Sequence, residues 1–97
     1  MKEEAITIRQ NTAASRFEAT VAGHLCVADY VIEGDRMVFT HTFVAPELRG
    51  RGIAGKLVRA GLESAIAKHR KIVPACSYVA AFVKRHKEFR DFLEPDH

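Results

Sequence analysis

Apolar and polar residues alternate with period two through the first half of the chain and with period 3.6 through much of the second. Ile6 and Ile8, set among Thr7 and Arg9, predict a short first strand that ends in a turn at Asn11-Thr12. Phe17, Ala19 and Val21 share one face of a second strand over residues 16–21, closed by Ala22-Gly23-His24. Residues 25–32 are apolar on both sides, with Leu25, Val27 and Val31 on one and Cys26, Ala28, Tyr30 and Ile32 on the other. That pattern predicts a central strand covered on both faces. Glu33-Gly34-Asp35-Arg36 is a hairpin turn, and residues 37–44 return antiparallel to complete a meander.

The period then changes. Ile53, Leu57, Val58, Gly61, Leu62, Ala65 and Ile66 recur at the i, i+3, i+4 spacing of one helical face, while Lys56, Arg59, Glu63 and Lys68 take the other. One helix is predicted from Arg51 or Gly52 to His69. Gly55 and Gly61 each cost about 1 kcal/mol of helix propensity relative to Ala, so close packing of this helix on the sheet is expected. Ile72-Val73-Pro74-Ala75-Cys76 reads as a fifth strand, parallel to the fourth because a helix crosses between them. Pro74 makes it irregular or places it near an edge. Ser77 is expected to cap a second helix carrying Tyr78, Ala81, Phe82 and Arg85 and ending near His86, with Phe89, Phe92 and Leu93 folding back as a last short turn. The fold class is α+β: a mixed, mostly antiparallel five-stranded sheet with a central helix and a C-terminal helix.

With 97 residues the chain reads as a single domain, 1–97, and 47% hydrophobic residues are enough to build its core. Met1-Lys2-Glu3-Glu4 is not followed by an apolar leader core, and no apolar run approaches the roughly 20 residues that span a bilayer, so a cytoplasmic protein without a membrane partner is expected. Cys26 and Cys76 lack the spacing of a zinc site and the density of a disulfide scaffold, and in a reducing compartment a bridge between them is not expected. His24, His41, His69, His86 and His97 are scattered, which argues against a metal. The formal charge of +3 conceals an asymmetry: residues 1–48 carry −3 and residues 49–97 carry +6. Such a field draws polyanions, whether a phosphorylated cofactor or nucleic acid. Only Tyr78 and Phe82 interleave aromatics with the basic residues, too few for a stacking platform, so no nucleic-acid partner is expected.

The positive half opens at Arg49-Gly50-Arg51-Gly52, between the fourth strand and the helix. Two glycines leave no side chain between backbone N–H groups and a ligand, and the first N–H groups of a helix are partnerless donors at the positive end of its dipole. Phosphate is the anion this arrangement suits. Here Val44-Ala45-Pro46-Glu47-Leu48-Arg49-Gly50-Arg51-Gly52-Ile53-Ala54 resembles the acetyl-CoA pyrophosphate loop of the Gcn5-related N-acetyltransferases, whose core pattern is Gln/Arg-x-x-Gly-x-Gly/Ala, met by Arg49, Gly52 and Ala54. His41-Thr42-Phe43-Val44 before the loop and Pro74-Ala75-Cys76-Ser77-Tyr78 after the helix are similar to the small, single-domain branch of that family, and the resemblance covers roughly residues 37–86. The opening strands fit it loosely.

The resemblance implies acetyl-CoA (coenzyme A) as cofactor. Backbone N–H groups from Arg49 to Gly55, namely Arg49, Gly50, Arg51, Gly52, Ile53, Ala54 and Gly55, would hold the pyrophosphate, with Arg49, Arg51 or Lys56 adding charge. The backbone of Thr42, Phe43 and Val44 would bond the pantetheine arm as a strand partner does. The thioester would end near His41 and Cys76. His41 is the candidate general base, the plain alternative being a histidine packed among Met37, Phe39 and Phe43. Cys76 either attacks the thioester to give an acyl-enzyme or lines the pocket as a small side chain. Tyr78 is the candidate general acid, or else a core aromatic. Arg85 and Lys87 are candidates for the outer phosphates, or members of a solvated basic helix face.

Two departures from larger family members bear on turnover: Val83 stands near the place of their acid tyrosine, and the helices that shape their acceptor site have no counterpart here. The leading function is transfer of acetyl to an amine on a small molecule or protein, with direct attack by the acceptor as the default and a Cys76 acyl intermediate as the alternative mechanism. The rival is a non-catalytic CoA- or acyl-CoA-binding module, a sensor or partner subunit. Dimerisation would be one way for so short a chain to complete its acceptor site.

Overall fold

The computed structural model describes residues 6–95. Met1-Lys2-Glu3-Glu4 and His97, read above for a leader and a metal, lie outside them. The chain runs β1 (Arg9–Asn11), β2 (Arg16–Val21), β3 (His24–Glu33), β4 (Arg36–Phe43), α1 (Ile53–Ala67), β5 (Lys71–Pro74) and α2 (Ser77–Arg85), with short 3-10 turns at Pro46–Leu48 and Lys87–Phe92. The five strands lie side by side in chain order, the first four antiparallel and β5 parallel to β4, so the expected α+β class and topology hold.

The helices build the core on one face. Phe17 and Ala19 from β2, Cys26, Ala28 and Tyr30 from β3, and Met37 and Phe39 from β4 meet Leu57, Val58, Leu62 and Ala65 of α1 in a single buried cluster that also takes in Val79, Phe82 and Val83 of α2. The apolar stripe of α1 is therefore the one its sequence predicts. A Cβ at Gly61 would lie 2.7 Å from the Phe39 ring, so the helix rides on the sheet where only glycine fits. Gly55 differs from expectation: it faces α2, where a Cβ would have ordinary contacts of 3.6 Å with Phe82 and the Tyr78 hydroxyl. Arg59 fastens the chain end to α1, lying over the rings of Phe82 and Phe89 and bonding His86 Nδ1 and Glu88.

Several details correct the sequence-based picture. The first strand lies at Arg9–Asn11, and Ile6 and Ile8 pack half-buried beside the core ahead of it. The third strand is central, but its second face is largely open: Leu25 and Val31 are 42% and 45% exposed, Phe43 beside them on β4 is 42% exposed, and of the predicted face Val27 alone is buried. An apolar second face therefore does not by itself report burial. Glu18 on that open face is covered instead by its own partners, Arg9, Arg16 and Asn11. Ser77 is the first helical residue of α2, and the cap position belongs to Cys76, whose backbone is extended.

Candidate functional site

Two interruptions of regular pairing create the site. The first is a bulge in β4. Tyr30 pairs with Phe39 but Asp29 pairs with His41, which leaves Thr40 as an extra residue and reverses the alternation beyond it. Upstream, Met37 and Phe39 point into the core; downstream, Thr42 pairs with buried Ala28 and so takes the core side, while His41 and Phe43 pair with Asp29 and Val27 on the open face. The second is a splay: the β4–β5 ladder ends at Phe39 and Pro74, after which Cys76 N–H donates to the Phe39 carbonyl at 2.8 Å and the chain turns into α2.

The loop after β4 is tied down at its base. Leu48, in the 3-10 turn, is 2% exposed, and Arg49 Nε donates to the Val44 carbonyl at 3.1 Å. Gly50 and Gly52 then take φ of +88° and +77°, a region that disfavours other residues, and Gly52 caps α1 without any side-chain cap bond. A Cβ at either glycine would meet no protein atom within 4 Å. It would project instead into free space at the helix start, where the first N–H groups have no intrahelical acceptor. The loop therefore fits a diphosphate.

Between this loop, the end of β4 and the start of α2 lies a cleft of about 430 Å³. Thr42 and Val44 form its strand wall, Arg49, Gly50 and Gly52 its loop wall, and Tyr78 its α2 wall. Ile53, Ala54 and Leu48 close the remainder; Leu48, inside an otherwise matching motif, was not singled out by sequence. Among the other sequence-named loop residues, Arg51 is exposed and Gly55 faces α2. Phe43 turns its ring to the open face, which leaves only its backbone near the strand wall.

Cys76 sits beside Thr42, with Sγ 3.5 Å from Thr42 Oγ1, and is half-buried. Burial pushes its thiol up, but hydrogen bonds from the Thr42 hydroxyl and from the backbone N–H groups of Val79, Tyr78 and Thr42 outweigh this and leave it below the ordinary thiol value. Cys26, the other free cysteine, is fully buried. The structure thus brings Thr42, Cys76, Tyr78 and the glycine loop together and does not bring His41 to them. Arg85 and Lys87 are exposed at the end of α2 and beyond it. Among the described residues, no group of three or more His, Cys, Asp or Glu could hold a metal ion, and no helix is long and apolar enough to cross a membrane.

A sheet that splays beside a glycine-rich helix start thus defines the cleft. Residues 16–92 match the GCN5-related N-acetyl-transferase family, and the chain belongs to that family. The NMR solution structure of a GCN5-like protein from Staphylococcus aureus has the same fold, with a TM-score of 0.72 over 91% of this chain and 87% of that one at 24% identity.

Proposed function

We propose that the cleft binds acetyl-CoA, with the loop N–H groups on its pyrophosphate and the backbone of Thr42, Phe43 and Val44 along its pantetheine arm, and that acetyl passes to an amine through a thioester on Cys76. The observation that carries this reading is that Thr42, in the strand wall of a glycine-lined cleft, stands 3.5 Å from the half-buried Cys76 thiol at a helix start. Acetyl-CoA, the acyl donor, supplies an acetyl group already activated as a thioester. The Cys76 thiolate forms a bond to the acetyl carbonyl carbon as that carbon's bond to the CoA sulfur breaks, and the departing thiolate takes a proton from Tyr78. The amine nitrogen then attacks the Cys76 thioester, Cys76 leaves as thiolate, and the proton shed by nitrogen restores Tyr78. His41, across the sheet, takes no part in this route. A cytoplasmic setting would keep Cys76 reduced.

The test is intact-mass spectrometry after mixing with acetyl-CoA, alongside a screen of amines for CoA release. An acetyl adduct lost in Cys76→Ala, together with amine-dependent release, is expected. An adduct unchanged in that variant contradicts the Cys76 route. Saturable binding with neither adduct nor release would make the chain a non-catalytic CoA-binding module.

A further inference from the structure

We infer that Thr42 is the positioning residue of this site: its hydroxyl donates to Cys76 Sγ and fixes the sulfur as a nucleophile beside the strand wall of the cleft. The inference rests on the reading of Cys76 as the acyl acceptor. It follows from how the fold places Thr42. Uninterrupted alternation from Phe39 would turn residue 41 toward the helices and residue 42 away; the extra residue at Thr40 exchanges them. The bulge therefore substitutes a small hydroxyl for an imidazole beside the sulfur.

Thr42 is suited to hold an atom in place. Branching at Cβ restricts its χ1, so the hydroxyl has few positions, and Oγ1 stands 3.5 Å from Sγ. The sulfur's own backbone is pinned by the bond from Cys76 N–H to the Phe39 carbonyl. Between hydroxyl and thiol either group can donate, but a thiolate can only accept, so on ionisation the Thr42 O–H must point at sulfur. The backbone N–H of Thr42 adds a second contact of the same sign. The other titratable groups on the cleft wall are Tyr78 from α2 and Arg49 from the loop, and Arg49 Nε is engaged by the Val44 carbonyl.

The test is the rate of alkylation of Cys76 by iodoacetamide, followed by mass spectrometry from about pH 5 to 9, where thiolate fraction governs the rate. Thr42→Val removes the hydroxyl and keeps the branch, Thr42→Ala removes both, and Thr42→Ser keeps the hydroxyl. Thermal unfolding confirms which variants are folded. In Thr42→Val and Thr42→Ala, alkylation at neutral pH should be roughly five- to tenfold slower, with the midpoint of the profile moved to higher pH, as loss of one hydrogen bond to an anion gives. Thr42→Ser should stay close to wild type. Profiles of the valine and alanine variants that superimpose on wild type overturn the inference. Failure of the underlying reading looks different: wild type then forms no acetyl adduct with acetyl-CoA, whatever the alkylation profiles show.

Discussion

The two faces of the sheet come from the same alternating strands, yet one is a core and the other a surface. On the helix side Met37 and Phe39 are fully buried and α1 approaches closely enough that Gly61 cannot carry a side chain without displacing the Phe39 ring. On the other side Leu25, Val31 and Phe43 lie open, and Glu18 is covered by Arg9, Arg16 and Asn11, which bind it. Stability therefore resides in one face, and apolar residues on the other are free to serve something besides folding. The cleft belongs to the covered face, whose packing holds the glycine loop, Thr42 and the start of α2 in register.

Substitutions that sample both faces break or sharpen this contrast. The largest effect is expected for Phe39→Ala, which should cost about 3–5 kcal/mol by urea unfolding, as a large aromatic leaves a cavity between β4 and α1. Gly61→Val should cost about 1–3 kcal/mol despite relieving a helix of glycine, because the added atoms meet the Phe39 ring; a stabilised variant would mean that α1 does not ride on the sheet as described.

Glu18 shows a smaller, pH-dependent effect. Hydrogen bonds from Arg16 and then Arg9 hold its carboxyl at about 2, below the ordinary 4.5. A carboxylate lowered in the folded state stabilises the fold above its unfolded value and loses that contribution as pH falls toward its folded one. Thermal unfolding of wild type should therefore weaken between about pH 4.5 and 2 more steeply than that of Glu18→Gln, and parallel curves would remove Glu18 as a cause. The smallest effects belong to Leu25→Thr and Val31→Thr, each within about 0.5 kcal/mol of wild type. Losses as large as that of Phe39→Ala would show that the open face is covered in solution.

Much of this fold was legible along the chain because its signals are local. Phe17, Ala19 and Val21 alternate and are buried as read, the α1 stripe follows its period, and Gly50 and Gly52 need positive φ where a strand gives way to a helix. What stayed hidden depends on pairing between distant segments. The bulge at Thr40 exists only relative to β3, so the odd positions Met37, Phe39 and Phe43 appeared to carry His41 with them on one face. Likewise, Leu25 and Val31 are apolar enough for a covered strand, and only the placement of both helices on the other side leaves them open. Cys76 displaced Ser77 from the cap position because β5 ends one residue beyond Val73 and the chain is pinned to Phe39 before it coils, a constraint set by β4.

The most direct test of the central claim, that the glycine loop is a pyrophosphate site, is calorimetric titration with acetyl-CoA of wild type and of Gly52→Asn. Asparagine tolerates the positive φ of this position but fills the space above the helix start. Saturable binding by wild type, weakened by roughly tenfold or more in a variant that unfolds at the same temperature, is expected. Binding undiminished in the variant, or none in folded wild type, would contradict it.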